Sequence, residues 1–313
     1  MIPKNNDIRF EITTHCNYNC VICPRDKFCR PKTTMPTKLF STCLEKIQDA
    51  TNQYTIVSMA GFGEPLMDKD FLDKVEIAYK KGFEQTLTTN ASLLTVEKFL
   101  RMQEMGMRTI KVSFYGMTPQ SYSAVHGIDR DSPRFEKLLD TLNEICALQK
   151  QTRLALIFNV TQGYNDKDLE PWLDYWKDKA ALVEAWKPHN WVYGRNLRAV
   201  AAEKRKTCGR PFSGPLQVQV DGTVNMCCFD FNGDLFLGDL KTQTLDEIFA
   251  KDAFKNLCAQ HSSGVYNDKV ICANCDQRNL HKESFLVYSN SGLEAKKRVE
   301  VTSTAYSRLN GGQ

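Results

Sequence analysis

The chain has 313 residues, of which 42% are hydrophobic and 25% charged, and its formal net charge is +4. The Lys and Arg residues are scattered without a basic stripe, which argues against nucleic-acid binding, and no apolar window approaches the roughly 18 residues of a membrane span. The polar N-terminus lacks the apolar stretch of a signal peptide, so we expect a cytoplasmic protein that contacts neither nucleic acid nor membrane.

Short β-branched runs alternate with amphipathic helical patterns between residues 8 and 186. The predicted strands are 8–13, 55–60, 84–89, 109–114, 154–160 and 182–186. The predicted helices between them are 37–50, 69–80, 95–104, 134–149 and 166–177. This alternation predicts an α/β fold whose parallel sheet curves into a partial (β/α)6 barrel like a TIM barrel. Functional side chains are then expected in the loops at the C-terminal ends of the strands.

A second unit is expected to begin close to residue 208. The runs 216–220 and 223–228 are joined by Asp221-Gly222, which predicts a β-hairpin, and 245–254 has a helical pattern. We therefore expect a barrel domain over residues 1–190, a small hairpin-plus-helix domain over 191–290, and a mobile polar tail over 291–313.

Twelve cysteines in a chain without a secretory signal favour metal binding over disulfides. Cys16, Cys20 and Cys23 follow the first predicted strand in a Cys-x3-Cys-x2-Cys run. Three thiolates so spaced can hold three irons of a [4Fe–4S] cube, which leaves the fourth iron open to a chelating small molecule. Zinc is the main alternative. His15 could complete a Cys3His set, but its position beside Cys16 makes joint chelation awkward.

Three further polar motifs lie behind predicted strands: Gly61-Phe62-Gly63-Glu64-Pro65, Thr89-Asn90, and Ser113. Taken singly, each is typical of ordinary loops. Together with the cysteine run they resemble the radical S-adenosylmethionine (SAM) superfamily over roughly residues 7–290. The resemblance implies that SAM chelates the open iron and is cleaved to a 5′-deoxyadenosyl radical. It also implies that Gly61, Gly63 and Glu64 line the methionine amino group, that Ser113 contacts the carboxylate or ribose, and that Asn90 belongs to the SAM site.

The chain departs from the family pattern at three positions. Ile22 stands where relatives often carry an aromatic residue against adenine, and Ala91 stands where they commonly have glycine. His126 stands where relatives often have an arginine. It is expected either to contact the SAM carboxylate with a pH dependence or to be a surface histidine.

A second cysteine group lies near the C-terminus. Cys208, the Gly-x4-Cys spacing from Gly222 to Cys227, and the pair Cys272 and Cys275 resemble the SPASM/twitch domain of a radical SAM subclass. His281 and Phe285 replace two further cysteines of the full SPASM pattern. The resemblance therefore implies one auxiliary [4Fe–4S] cluster held by Cys208, Cys227, Cys272 and Cys275, as in aminocyclitol dehydrogenases of the 2-deoxy-scyllo-inosamine type. A zinc ribbon, or Cys228 in place of Cys227, stays open.

An auxiliary cluster with four protein ligands can accept an electron, which favours oxidation of a polar small molecule such as a sugar, aminocyclitol or nucleoside. Flavodoxin or ferredoxin would supply the first electron. The base would be Arg153, His189, Arg195 or Arg210. The alternatives are an epimerase with Cys228 or Cys258 as hydrogen donor, a peptide-modifying maturase, which is less favoured, and a non-catalytic cluster scaffold.

Overall fold

Strands and helices alternate along the chain in a computed structural model that describes residues 2–131, 134–192, 197, 202–279 and the backbone of strand 285–289. The strands are β1 (Asp7–Phe10), β2 (Ile56–Met59), β3 (Glu84–Thr89), β4 (Met107–Ser113), β5 (Arg153–Asn159), β6 (Leu182–Trp186), β7 (Leu216–Val218), β8 (Thr223–Asn225), β9 (Phe236–Asp239) and β10 (Phe285–Ser289). The α-helices are α1 (Thr37–Ala50), α2 (Phe71–Lys80), α3 (Val96–Glu104), α4 (Pro119–His126), α5 (Arg134–Leu148), α6 (Leu169–Trp176), α7 (Arg210–Ser213), α8 (Leu245–Ala250) and α9 (Asp252–Ser263).

All six predicted strands and five predicted helices of the N-terminal half are present, with ends that shift by up to three residues. The predicted helix 245–254 is wrong in its extent. Lys251 adopts an extended backbone, which divides the segment into α8 and α9. Helix α8 begins at a capping box in which Thr244 and Glu247 satisfy each other's backbone N–H groups.

The described chain divides into two compact units. Among the described residues, the first comprises 2–17, 24–87, 190–192, 197 and 202–279. Its strands are ordered β3-β2-β1-β7-β8-β9, with β1 parallel to both β2 and β7, and with β7, β8 and β9 antiparallel. Ile8 and Phe10 of β1 are fully buried, and the Phe10 ring packs 4.7 Å from that of Phe40 on α1. Strand β7 of the predicted hairpin therefore pairs with β1, the strand that precedes the cysteine run.

Among the described residues, the second unit comprises 18–23, 88–131, 134–189 and strand β10. Its strands are ordered β10-β6-β5-β4, parallel except for β10, which runs antiparallel to β6. Leu154, Ala155 and Leu156 are consecutive and fully buried, as expected for a parallel strand covered on both faces. Trp172 and Trp176 of α6 are also fully buried.

No helix among the described residues is long and apolar enough to cross a membrane. The predicted mobile tail, Arg195, His281 and the side chain of Phe285 lie outside the described residues. The predicted domain boundaries stay predictions.

Candidate metal centres

Residues 13–17, which lead into the cysteine run and include Cys16, lie in the first unit and pack against the loop after β2. The backbone N–H of Glu64 donates to the carbonyl of His15 at 2.7 Å. A Cβ at Gly63 would lie 2.1 Å from the carbonyl oxygen of Thr13 and 2.7 Å from that of His15. Gly63 is thus required because two backbones meet there, a reason that the sequence pattern did not reveal.

Glu11 fixes the same loop, although sequence reasoning did not single it out. Its buried carboxylate pairs with Arg30 at 2.7 Å and accepts the N–H of Phe62 at 3.2 Å. A Cβ at Gly61 would lie 2.6 Å from its Cγ. Glu64 is 2% exposed, and its side chain accepts the N–H of Leu66 at 3.0 Å. The sequence alone showed only that Glu64 follows the predicted strand 55–60.

The second part of the run, residues 18–23, lies in the second unit at the C-terminal end of α4. The N–H of Asn19 donates to the carbonyl of His126 at 3.1 Å, and that of Val21 donates to Val125 at 2.9 Å. Gly127 ends α4 in the left-handed conformation, and a Cβ there would lie 2.1 Å from the carbonyl oxygen of Asn19.

His126 lies behind this segment and is fully buried, so the alternative of a surface histidine is wrong. Its Nδ1 is 3.3 Å from the Sγ of Cys20, and its Nε2 accepts the N–H of Tyr115 at 3.3 Å. A backbone N–H can only donate, so Nε2 is unprotonated and the neutral ring presents Nδ1–H to the Cys20 sulfur. Burial also lowers the pKa of His126 to about 3. Contact with the SAM carboxylate stays a prediction, and the geometry favours a role toward Cys20.

The other predicted SAM residues of this unit lie at strand ends and loops. The side-chain Oδ1 of Asn90 accepts the backbone N–H of Ser92 at 2.9 Å, and the Ser113 Oγ accepts a hydrogen bond from the Tyr115 hydroxyl at 2.9 Å. Ala91, which stands where the family commonly has glycine, has a φ of 58° and so adopts the left-handed backbone that glycine tolerates best. Ile22 is half-buried.

In the first unit, the structure brings Cys208, Cys227, Cys272 and Cys275 together around one cavity. Cys228 is half-buried and is not among the residues that line this cavity, and Cys258 lies half-buried on α9. The geometry therefore favours Cys227 over Cys228 as the proposed ligand.

The donor set of this cavity fits a [4Fe–4S] cluster, because its four thiols match the four irons of the cube in number. A set of four cysteines is also a structural zinc set.

Without a bound cation, the cavity favours the neutral form of its thiols. Burial, followed by the charges of Cys275 and Cys208, raises the pKa of Cys272 to about 12. Burial also raises the pKa of Cys275 to about 11 and that of Cys227 well above its ordinary value. Cluster binding must therefore release protons.

Arg210 lines the same cavity, with its guanidinium carbon 5.2 Å from the centroid of the Phe229 ring. Burial alone would lower the pKa of Arg210, but the charges of Cys228 and Cys227, foremost among the nearby thiols, raise it above its ordinary value. Arg210 therefore stays a cation and does not suit the role of general base.

An aromatic cluster connects the loop after β2 to this cavity within the first unit. The Trp191 ring lies 5.6 Å from Phe62 and 5.4 Å from Phe229, and Phe229 lines the cavity. Trp191 has a φ of 61°, an uncommon conformation for a bulky residue that tends to mark functional positions.

The fold and the two cysteine groups define an α/β protein built for iron–sulfur chemistry, and family models agree. The model described as Radical SAM superfamily matches residues 10–175, and the SPASM model, an iron–sulfur cluster-binding domain, matches residues 208–276. The chain belongs to the radical SAM superfamily and carries a SPASM domain. These domains imply SAM and [4Fe–4S] clusters, including an auxiliary cluster.

Among curated relatives, the GTP 3′,8-cyclase of Staphylococcus saprophyticus is 26% identical over 56% of this chain and 52% of that enzyme. The GTP 3′,8-cyclase of Aliarcobacter butzleri is 24% identical over 68% of each. The chain spans about half the length of the first of these relatives.

Solved structures share the fold. BtrN in complex with AdoMet and 2-DOIA superposes with a TM-score of 0.55 at 18% identity, over 84% of this chain and 89% of BtrN. Streptococcus suis SuiB bound to precursor peptide SuiA superposes with a TM-score of 0.63 at 13% identity, over 88% of this chain and 70% of SuiB. At these identities the likeness establishes a radical SAM α/β fold with a parallel sheet, as predicted.

Proposed function

We propose that this protein is a radical SAM dehydrogenase that removes two hydrogens from a polar small molecule such as a sugar, an aminocyclitol or a nucleoside. When bound, the first cluster and SAM would supply a 5′-deoxyadenosyl radical to abstract one hydrogen atom, and the auxiliary cluster would accept one electron. The substrate also gives up one proton, so the product is lighter by two hydrogens. An external donor such as flavodoxin or ferredoxin supplies the electron for SAM cleavage.

The observation that carries this proposal is the cavity lined by Cys208, Cys227, Cys272 and Cys275. Four protein thiolates satisfy all four irons of a [4Fe–4S] cube. Such a cluster has no open iron for a second SAM, so its chemical use is to transfer single electrons. Oxidation is the radical reaction that needs an acceptor of that kind.

The aromatic cluster supports the same proposal. Phe62 belongs to the Gly61–Pro65 motif assigned to SAM, and Phe229 lines the auxiliary cavity, with Trp191 in contact with both rings. A substrate held along Trp191 would be close both to the site where hydrogen is removed and to the electron acceptor. The aromatic rings also exclude water from the reacting carbon.

The remaining assignments follow the family resemblance. Cys16, Cys20 and Cys23 are proposed to hold the SAM-binding cluster, with SAM held by Ile22, Gly61, Gly63, Glu64, Asn90 and Ser113. With Arg210 held as a cation, His189 and Arg153 remain as base candidates among the described residues. His189 is the better candidate because a neutral imidazole accepts a proton near pH 7.

The proposal is tested with anaerobically reconstituted protein, SAM and dithionite, offered panels of sugars, aminocyclitols and nucleosides, with GTP included because of the curated relatives. Oxidation predicts one 5′-deoxyadenosine per product and a product lighter by two hydrogens. An unchanged mass, with one deuterium gained in D2O, would overturn oxidation in favour of epimerisation. A GTP product of unchanged mass would point to cyclisation.

Cys228 is the hydrogen-donor candidate for epimerisation that lies next to a proposed cluster ligand, and it is half-buried. The matched variant is Cys228→Ala. Under the dehydrogenase proposal it keeps product formation within about twofold of the wild type, whereas an epimerase that uses this thiol would lose its product.

A further inference from the structure

His261 is a buried histidine in the wall of the auxiliary cavity that the family pattern does not assign. It lies on α9, is 1% exposed, and lines the cavity together with the four cysteines. Among the described residues, no hydrogen-bond partner lies within reach of its Nε2. A buried ring nitrogen without a partner is unfavourable, so it marks a place where a partner is missing from the protein itself.

The other ring nitrogen fixes the protonation of the first. Nδ1 of His261 is 2.7 Å from the Oγ1 of Thr207, and the same Oγ1 accepts the N–H of Gly209 at 2.9 Å. Among the described residues, Nδ1 is the acceptor within hydrogen-bond reach of the Thr207 hydroxyl proton. The neutral tautomer that accepts this proton leaves Nδ1 unprotonated and carries its own proton on Nε2.

Two aromatic rings hold the imidazole in this orientation. Tyr266 lies 5.1 Å away and Phe212 lies 6.5 Å away, both nearly edge-on at 83° and 80°. Tyr266 is itself fixed, because its hydroxyl donates to the carbonyl of Lys206 at 2.7 Å and the Arg278 guanidinium lies 4.1 Å from its ring centroid. The Nε2–H group is therefore preorganised.

We propose that Nε2–H of His261 donates a hydrogen bond to a sulfur of the auxiliary cluster and thereby raises its reduction potential. This inference rests on the proposed function, in which that cluster accepts an electron. Reduction adds negative charge to the sulfurs, and a fixed N–H donor stabilises that charge. Arg210 and Arg278, which also line the cavity, act in the same direction.

The proposal assigns His261 the role of donor and not of ligand. The four thiols already match the four irons of the cube. A ligand would need the lone pair of Nε2, and hence a proton on Nδ1, which would leave the Thr207 hydroxyl proton without that acceptor.

The test is the midpoint potential of the auxiliary cluster in the reconstituted holoenzyme, followed by electron paramagnetic resonance. The auxiliary signal is the one that SAM does not perturb. The informative pair is His261→Phe, which removes the donor but keeps a ring, and His261→Gln, whose amide N–H reaches about the same position as Nε2–H. We expect His261→Phe to make reduction about tenfold less favourable, a shift of 59 mV for one electron, and His261→Gln to stay within about threefold of the wild type.

A second readout keeps the test decisive if His261→Phe folds poorly. In the wild type, electron–nuclear double resonance after exchange into D2O should detect an exchangeable deuteron coupled to the auxiliary cluster. The absence of that coupling would overturn the proposal, as would an unchanged potential in His261→Phe. Loss of about four irons from His261→Phe would also overturn it, because His261 would then be a ligand. If the potential shifts but no substrate is oxidised, the donor assignment stands and the dehydrogenase proposal fails.

Discussion

The two cysteine groups of this chain are built in different ways. Cys16, Cys20 and Cys23 are close in sequence, and their segment is held from outside by backbone contacts to Gly63 and Gly127. The auxiliary group is dispersed along residues 208–275 and is assembled by the hairpin, α7 and the turns near 272–278. Local spacing therefore defines the first group, and the tertiary fold defines the second.

The surroundings of the two groups differ as well. At the first group, His126 presents a neutral N–H to Cys20, with Tyr115 fixing its tautomer. At the second, His261 is joined by the guanidiniums of Arg210 and Arg278. Added positive charge favours the reduced form of a cluster. The two guanidiniums suit the electron-accepting role proposed for the second cluster.

The largest expected effect comes from the neighbours Cys227 and Cys228. Cys227→Ala should reduce iron from about eight to about four per chain and abolish substrate oxidation while SAM cleavage persists, because only the acceptor is lost. Cys228→Ala should keep all iron and the oxidation. Iron analysis and 5′-deoxyadenosine assays check both, and the reverse pattern would exchange the roles of the two residues.

A slightly smaller effect is expected at Gly63. Gly63→Ala places a methyl group 2.1 Å from the Thr13 carbonyl oxygen, which should cost about 2–3 kcal/mol and suppress SAM cleavage by displacing the segment that carries Cys16. The control is Gly163→Ala, where φ is 80°, unlike at Gly63, but no atom lies within 4 Å of the added Cβ. It should cost about 1–2 kcal/mol and leave SAM cleavage intact. Anaerobic urea unfolding measures both, and equal effects on cleavage would refute the packing argument.

A moderate effect is expected at His126. His126→Phe removes the N–H that faces the Cys20 sulfur, so the SAM-binding cluster should become about tenfold harder to reduce, a shift of 59 mV, with slower SAM cleavage. His126→Asn keeps an N–H near the Nδ1 position and should shift the potential less. Tyr115→Phe, which keeps the backbone N–H, is the control and should behave like the wild type. Identical reduction potentials in all three variants would show that His126 does not influence the SAM-binding cluster.

The smallest effect is expected at Ala91, whose φ is 58°. Ala91→Gly should raise the free energy of unfolding by about 0.5–1 kcal/mol, because relief of left-handed strain exceeds the added chain entropy. The opposite sign is expected for Ala78→Gly inside α2, which should cost about 1 kcal/mol. Urea unfolding distinguishes the two, and a loss of stability at Ala91 would contradict its backbone assignment.

The parts of this account that depend on short-range pattern were predictable from the sequence. The alternation of strands and helices, the cysteine run after β1 and the Asp221-Gly222 turn all follow from local periodicity or turn chemistry. The choice of Cys227 relied on a resemblance, and it agrees with the cavity that the four cysteines line.

The parts that depend on long-range packing were not predictable. Nothing in the sequence indicates that Glu11 pairs with Arg30 or that β7 adds to the edge of β1. His126 and His261 carry no local signal for their roles, because each depends on a partner far along the chain, Cys20 for one and Thr207 for the other.

The central claim is that two separate clusters have different roles, one in SAM cleavage and the other as electron acceptor. Iron analysis combined with an assay of SAM cleavage tests this claim most directly. We expect about eight irons in the anaerobically reconstituted wild type and about four in Cys16→Ala/Cys20→Ala/Cys23→Ala, with SAM cleavage lost in the triple variant. Zinc in place of iron, or about four irons that survive the triple substitution unchanged from the wild type, would contradict the account.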